Sequence, residues 1–256
     1  MRLLALSLLS LVPLVTAAAP TGGGTSLTVA AAASLKPAVE EWRRDFEAAH
    51  PRVSVSVVFG ASGTFFAQIQ AGAPFDLFLS ADREYPDRIV AAGLGAAADE
   101  KVFAIGRLVV WTPSGSPLDI GRDGLASVAG PGVRRIAIAN PAVAPFGRAA
   151  EGALRSAGIL DAVRERLVLG TSVGQAAQFA TTGAADVAFL PWSLALEKEL
   201  AGGRVFVLPE NAHPRIELAG VVLSAAREAP LARAFLAHAA GPGGRAALTG
   251  HGFGLP

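Results

Sequence analysis

Short apolar segments alternate with amphipathic segments of helical length along most of this chain, and that alternation constrains the fold more than any other feature. Residues 27–31 form an apolar strand pattern, and residues 35–49 then carry an apolar side chain at every third or fourth position, as an amphipathic helix does. Residues 53–57 alternate valine with polar residues, which is typical of a second strand. Repeated strand–helix order predicts an α/β protein with mainly parallel sheets flanked by helices.

The same pattern continues to the C-terminus and predicts more strands than one small sheet needs. Strands are expected at residues 27–31, 53–57, 76–80, 107–111, 136–139, 167–169, 187–190, 205–208 and 217–223. We therefore predict two lobes, with the chain crossing between them near residues 107–112 and returning near residues 216–222. Because ligands of open α/β sheets lie beyond the carboxyl ends of the strands, two facing lobes would enclose a ligand cleft.

The first 19 residues have the pattern of a secretory signal peptide. Arg2 supplies a positive charge, residues 3–15 are almost uniformly apolar, and residues 17–19 are alanines that suit a cleavage site. The apolar run is shorter than the about 20 residues that a transmembrane helix needs. We expect cleavage after Ala19 and a mature protein that is soluble and lies outside the cytoplasm.

The composition excludes several functional classes. The chain has 22 Lys+Arg against 21 Asp+Glu, a net charge of +1, and its basic residues are scattered rather than gathered into the positive face of a nucleic-acid-binding protein. It has no cysteine, which removes disulfides, thiolate catalysis and cysteine-ligated metals. Its four histidines lie far apart in sequence, without metal-ligand spacing. We therefore expect no nucleic-acid partner and no cofactor.

Two predicted strand-to-helix junctions in the first part of the chain place a serine after small residues. Ser34 follows a run of alanines in residues 30–33, and Ser62 lies in the sequence Phe-Gly-Ala-Ser-Gly-Thr of residues 59–64. Small residues allow a ligand to approach the backbone closely. Taken singly, either serine is explained more simply as a helix N-cap.

Two further junctions lie in the second part of the chain. Residues 140–147 include Pro145, which suits the first turn of a helix, and residues 171–175 place Ser172 and Gln175 at the spacing of a capping box. The first N–H groups of a helix lack partners and carry partial positive charge. Four converging helix starts would form a donor-rich pocket for an anion.

An enzymatic alternative uses Ser62 as a nucleophile. Residues 60–64 approach the nucleophile elbow of secreted serine hydrolases, but Thr64 stands where the second glycine belongs, and no pattern places a histidine near Ser62. Asp76 and Asp82 could form a carboxylate pair for acid–base chemistry, although Asp82 precedes a predicted helix and suits an N-cap better. We expect a binding protein and keep the hydrolase as the minor alternative.

Several segments together resemble the periplasmic molybdate-binding proteins of ABC importers, which are type II periplasmic binding proteins. These segments are residues 30–35, 59–64, 70–82, 140–147 and 252–254, and they occur in the expected order over nearly the whole mature chain. The resemblance implies two α/β lobes joined by two crossover strands, with a tetrahedral oxyanion bound between them. Residues 27–107 plus 219–256 would form lobe 1, and residues 108–218 would form lobe 2.

The resemblance also assigns the site residues. Ser34 and Ser62 correspond to two serines that offer hydroxyl and backbone N–H groups to the oxyanion, and Phe146 and Val173 correspond to positions that donate backbone N–H groups from the second lobe. The metal of the oxyanion would be bound only indirectly, through these four residues. The ligand implied is molybdate or tungstate, no cofactor is implied, and the partner is a membrane permease that receives the ion from a monomeric, periplasmic protein.

One position departs from the family pattern. Some members have a tyrosine whose hydroxyl touches the ligand where this chain has Pro191, so this contact is absent or is replaced by Trp192 or Ser193. A site made only of donors would reject phosphate, whose remaining proton needs an acceptor. Sulfate carries no proton, and a sulfate binder therefore stays an alternative.

Overall fold

Two five-stranded sheets form the framework of residues 24–256, the part of the chain that this computed structural model describes. The signal peptide predicted for residues 1–19 lies outside these residues. The strands are β1 (Thr25–Ala32), β2 (Val53–Gly60), β3 (Leu77–Ser80), β4 (Gly95–Gly106), β5 (Leu108–Thr112), β6 (Ile136–Ala139), β7 (Leu167–Gly170), β8 (Val187–Pro191), β9 (Arg204–Val207) and β10 (Ile216–Leu223).

Helices flank both sheets and follow most of the strands. They are α1 (Lys36–Ala49), α2 (Ser62–Gln70), α3 (Glu84–Ala91), α4 (Ile120–Asp123), α5 (Pro145–Ser156), α6 (Leu160–Val163), α7 (Val173–Thr181), α8 (Trp192–Ala195), α9 (Ala229–Ala240) and α10 (Pro242–Gly250). Short 3-10 turns lie at Ala33–Leu35, Leu125–Ala129, Arg164–Arg166 and Glu210–Ala212. None of the helices in the described residues is long and apolar enough to cross a membrane.

The first sheet has the strand order β2-β1-β3-β10-β4 and the second the order β7-β6-β8-β5-β9. In the first sheet β1, β2 and β3 are parallel, and β10 runs antiparallel to β3 and β4. In the second, β6, β7 and β8 are parallel, and β5 runs antiparallel to β8 and β9. The predicted fold class, two mainly parallel sheets flanked by helices, is confirmed.

The chain passes between the sheets twice. It leaves the first sheet after β4, with Arg107 alone before β5, and it returns in residues 208–215 between β9 and β10. We call the first sheet with α1, α2, α3, α9 and α10 the first lobe, and the second sheet with α4–α8 the second lobe. The lobe limits at residues 108 and 218 stay a prediction.

The sequence pattern missed β4. Residues 96–101 are three alanines followed by Asp, Glu and Lys, a composition without apolar alternation. They are extended because β4 pairs along its length with β10, with two register shifts. The strand therefore results from tertiary pairing rather than from its own propensity.

The core of the first lobe is built around the stripe of α1 that the sequence predicted. Trp42 and Phe46 are fully buried, Phe46 packs edge-to-face on Phe235 of α9, and the Trp42 indole N–H donates to the Gly244 carbonyl of α10 at 3.2 Å. This packing brings the C-terminal helices onto α1. The tail then pairs at Gly254 with Ile105 beside the crossover.

Candidate functional site

A small cavity lies between the two lobes, and the four residues singled out from the sequence all line it. Ser34 and Ser62 come from the first lobe, and Phe146 and Val173 come from the second. Apart from these four residues, the cavity is lined by alanine, glycine and proline. It is far smaller than the roughly 300–1,000 Å³ of pockets that hold drug-sized ligands, and it therefore suits only a compact ligand.

The cavity lies where the sheet topology places ligands. Parallel strands β1, β2, β6 and β7 end at Ala32, Gly60, Ala139 and Gly170, and each is followed by a segment that lines the cavity. Both lobes therefore direct the carboxyl ends of their parallel strands toward the same space.

Ser34 lies in the 3-10 turn after β1 and is completely buried. Its Oγ has no hydrogen-bond partner among residues 24–256, and it does not cap the turn. A buried hydroxyl without a partner costs about 1–3 kcal/mol of stability. The simple N-cap interpretation of Ser34 is therefore wrong, and its hydroxyl is available to a ligand in the cavity.

Ser62 is the first residue of α2 and is also buried. Its Oγ accepts a hydrogen bond from the backbone N–H of Ala81 at 3.0 Å and does not cap α2, so the N-cap interpretation fails here too. Since a hydroxyl has one proton and two lone pairs, the contact with Ala81 leaves the proton of Ser62 free to donate.

The second lobe contributes the starts of two helices. Pro145 is the first residue of α5, as predicted, and Phe146 follows it. Val173 is the first residue of α7, and Ser172 caps this helix by accepting from the Gln175 N–H at 3.4 Å. The first N–H groups of a helix have no acceptor within the helix. Phe146 and Val173 therefore bring backbone N–H groups to the cavity that have no intrahelical acceptor.

Gly147 allows α5 to begin close to the end of β6. A Cβ atom on this residue would lie 2.2 Å from the carbonyl oxygen of Ala139. Only glycine permits this approach, and it holds the first turn of α5 against the cavity.

No charged side chain lines the cavity within the described residues. Lys36, in the first turn of α1, is exposed and lies outside the lining. The positive potential in the cavity comes from the helix starts of α2, α5 and α7, which carry the partial charge of the helix dipole. The arrangement can bind an anion through neutral donors.

Pro191 ends β8, and its neighbours take other roles than that of the family tyrosine. The Ser193 hydroxyl donates to the backbone carbonyl of Ser34 at 2.7 Å, which ties the second lobe to the first. The guanidinium of Arg107 lies 5.1 Å from the Trp192 ring centroid. Among the described residues that line the cavity, neither Trp192 nor Ser193 is present. Neither is therefore placed to make the ligand contact that the tyrosine makes in some family members.

Asp76 and Asp82 do not form a catalytic carboxylate pair. Asp76 is buried, and its two oxygens accept from the backbone N–H groups of Thr28 at 2.7 Å and Arg227 at 2.8 Å. Asp82 lies just before α3 and accepts from the Tyr85 N–H of the first turn at 3.2 Å, although the residue at the N-cap position is Arg83. Asp76 is therefore part of the scaffold of the first lobe.

Asp82 has a second partner that the sequence analysis missed. Its side chain forms an ion pair with Arg148 of α5 across the two lobes. Burial raises the pKa of the Asp82 carboxyl above its ordinary value, although the Tyr85 N–H and the positive charge of Arg148 act in the opposite direction. The two residues are 66 positions apart, and no local pattern relates them.

The hydrolase alternative lacks a general base. In residues 24–256, the ring contacts of His50, His213 and His251 go to the Phe46 carbonyl, the Pro214 carbonyl and the Glu41 carboxylate. The ring of the fourth histidine, His238, packs on Phe46. The Ser62 hydroxyl is hydrogen-bonded to the Ala81 N–H and to no histidine. A serine nucleophile needs a base within hydrogen-bond reach, and this site does not supply one.

Comparison with known proteins gives consistent matches. Residues 27–254 match the family model of bacterial extracellular solute-binding proteins. The chain is 36% identical over 183 residues to the molybdate-binding protein ModA of Rhodobacter capsulatus, which covers 72% of this chain and 70% of that protein. These matches are to solute-binding proteins, not enzymes.

Two solved structures have similar folds. The periplasmic molybdate-binding protein of Azotobacter vinelandii superposes with a TM-score of 0.83 at 32% identity, covering 90% of this chain and 99% of that one. The sulfate-binding protein SubI of Mycobacterium tuberculosis gives a TM-score of 0.74 at 21% identity, covering 90% and 86%. The second likeness concerns the fold alone.

Proposed function

Since the chain belongs to the molybdate-binding proteins within the bacterial extracellular solute-binding family, we propose that it captures molybdate in the cavity between its two lobes. It is a binding protein and not an enzyme. The observation that carries the proposal is the buried, unpartnered Oγ of Ser34 in a small cavity lined by helix starts from both lobes. A bound oxyanion would satisfy this hydroxyl.

Ser34, Ser62, Phe146 and Val173 supply the donors. The two serines offer hydroxyl protons as well as backbone N–H groups, and Phe146 and Val173 offer backbone N–H groups. A hydrogen bond to a charged group contributes about 1.5–3 kcal/mol, so several of them bind a dianion without a buried lysine or arginine. The protein donors bond to the oxygen atoms of the oxyanion and not to its metal atom. The ion is a ligand rather than a cofactor.

The donor set also determines selectivity. The Ser62 Oγ already accepts from the Ala81 N–H, which uses one of its two lone pairs and leaves its proton free to donate. Protonated phosphate would place a donor among donors, at a cost of about 1–3 kcal/mol. Molybdate and tungstate carry no proton near neutral pH, so neither ion needs a hydrogen-bond acceptor in the cavity. Sulfate is distinguished only by its smaller size.

Export and delivery complete the proposed function. Residues 1–19 would direct the chain across the membrane, and the mature monomer would work in the periplasm. Closure of the lobes over the ion would create the form that a membrane permease of an ABC importer recognises. The family membership supports this assignment.

Calorimetric titration with molybdate, tungstate, sulfate and phosphate tests the proposal. We expect saturable binding of molybdate and tungstate, and phosphate binding weaker by a factor of roughly 10 to 100, since one unpaired donor costs about 1–3 kcal/mol. A molybdate-dependent rise in the melting temperature provides an independent readout. Saturable binding of phosphate alone would overturn the donor-only site.

A further inference from the structure

An ion pair crosses between the lobes beside the cavity. Arg148 of α5 contacts the Asp82 carboxylate directly, and its guanidinium also lies 3.4 Å from the Tyr85 hydroxyl and 3.4 Å from the Glu84 carboxylate. The Asp82 side chain is 13% exposed and that of Arg148 is 34% exposed. The ion pair is therefore partly removed from water. Removing one of its members would leave the charge of the other poorly solvated.

Both partners are coupled to cavity residues by the backbone. Asp82 directly follows Ala81, whose N–H fixes the Ser62 hydroxyl, and Arg148 lies two residues after Phe146. Pro145 lines both the cavity and the neighbouring groove that contains the ion pair. The elements that hold the proposed ligand therefore also carry the ion pair.

Hydrogen bonds within the first lobe hold the Asp82 carboxylate in place for its contact with Arg148. Its Oδ1 accepts from the Ser80 hydroxyl at 3.0 Å and from the Tyr85 N–H at 3.2 Å, while its Oδ2 contacts Arg148. On the same side of the cleft, the Gly63 N–H donates to the Val143 carbonyl at 2.8 Å. The contacts of Asp82 with Arg148 and of Gly63 with Val143 join the lobes directly.

We propose that Asp82 and Arg148 form a latch that keeps the two lobes closed over the bound oxyanion and thereby sets its rate of release. The inference rests on the proposed function. Both are positioning residues, since neither lines the cavity. The carboxylates of Asp82 and Glu84 balance the charge of Arg148, so the guanidinium does not act as a free positive charge that attracts the anion.

The test is a double-mutant cycle with Asp82→Asn and Arg148→Met. Asparagine keeps an oxygen that can accept from the Tyr85 N–H, and methionine keeps most of the apolar stem of arginine. The matched control is Arg155→Met on the same helix, since Arg155 is 66% exposed and, within residues 24–256, forms an ion pair only with Glu151, one turn away at 3.8 Å. Unliganded melting temperatures establish that each variant folds.

Molybdate affinity is measured by calorimetry, and the association and dissociation rates by stopped-flow tryptophan fluorescence. We expect each single variant to lose affinity roughly five- to twentyfold through faster dissociation, and the double variant to lose no more than either single variant. The Arg155→Met control should match the wild type.

Opposite effects of the two single variants would overturn the latch. If Arg148 attracted the anion by its charge, Asp82→Asn would tighten binding while Arg148→Met weakened it. Unchanged dissociation rates in both variants, with molybdate still bound by the wild type, would overturn the latch alone. Absence of oxyanion binding by the wild type would overturn the proposed function together with the latch.

Discussion

At the scale of single residues, the two buried serines have different hydrogen-bond environments. In the part of the chain that the structure describes, the Ser34 Oγ has no hydrogen-bond partner, whereas the Ser62 Oγ accepts from the Ala81 N–H. Removing the Ser34 hydroxyl therefore removes an unsatisfied group, while removing the Ser62 hydroxyl leaves a buried N–H without its acceptor. The two substitutions should be alike in their effect on binding and unlike in their effect on stability.

We predict that Ser34→Ala and Ser62→Ala each weaken molybdate binding by about 1–3 kcal/mol, because each loses a hydrogen bond to a charged group. Ser34→Ala should leave the unliganded melting temperature unchanged or higher, and Ser62→Ala should lower it. Calorimetry and thermal unfolding of the same samples measure both effects. Ser224→Ala, a substitution in the first lobe outside the cavity lining, is the control. Unchanged affinity in both cavity variants would show that neither hydroxyl serves the ligand.

At the scale of secondary-structure elements, a carboxylate ties the starts of β6 and β8 together. Both backbone N–H groups of Arg134 and Arg135, which precede β6, donate to the Asp186 carboxylate at 2.9 Å. Burial alone would raise the pKa of Asp186, but these hydrogen bonds and the two positive charges bring it below its ordinary value. Because β6 leads into residues 140–147, the tie also supports the segment that carries Phe146.

We predict that Asp186→Asn destabilises the protein by about 1 kcal/mol at neutral pH, through weaker hydrogen bonds to the two N–H groups. A depressed pKa contributes stability above the unfolded value of about 3.9, and this contribution is lost as the pH falls through the lower folded value. The difference between wild type and variant should therefore shrink below about pH 4. Urea unfolding at several pH values measures this difference in the free energy of unfolding. The control is Asp161→Asn, because the Asp161 side chain is 94% exposed. A difference that stays constant with pH would contradict the assignment.

At the scale of the whole molecule, the backbones of the two lobes approach each other closely at Gly63. A Cβ atom there would lie 2.9 Å from the Cα of Val143 in the opposite lobe and 2.4 Å from the Tyr85 hydroxyl. The tyrosine side chain can move, at the cost of its contact with Arg148, whereas the backbone at Val143 can move only with its lobe.

We predict that Gly63→Ala weakens molybdate binding roughly tenfold or more, because overpacking of such a contact costs about 1–3 kcal/mol. Small-angle scattering should show less compaction on addition of molybdate than in the wild type. Gly243→Ala in α10 is the control, since a Cβ atom there meets no atom of residues 24–256 within 4 Å. Full affinity together with full compaction in Gly63→Ala would show that this contact does not limit closure.

The sequence by itself determined the features that depend on neighbouring residues. The strand–helix alternation, the buried stripe of α1, the first-turn position of Pro145 and the Ser172 cap all follow from local periodicity and capping chemistry. The family resemblance brought together Ser34, Ser62, Phe146 and Val173, which line one cavity, and their binding of an oxyanion stays a proposal.

The tertiary structure alone decided the features that join distant parts of the chain. Strand β4 is extended because β10 pairs with it, and the contacts of Arg148 with Asp82 and of Ser193 with Ser34 join residues on different lobes. The missing partner of the Ser34 hydroxyl is likewise a property of everything packed around it. Such contacts depend on how two sheets meet in space, and a local pattern of residue types carries no record of that geometry.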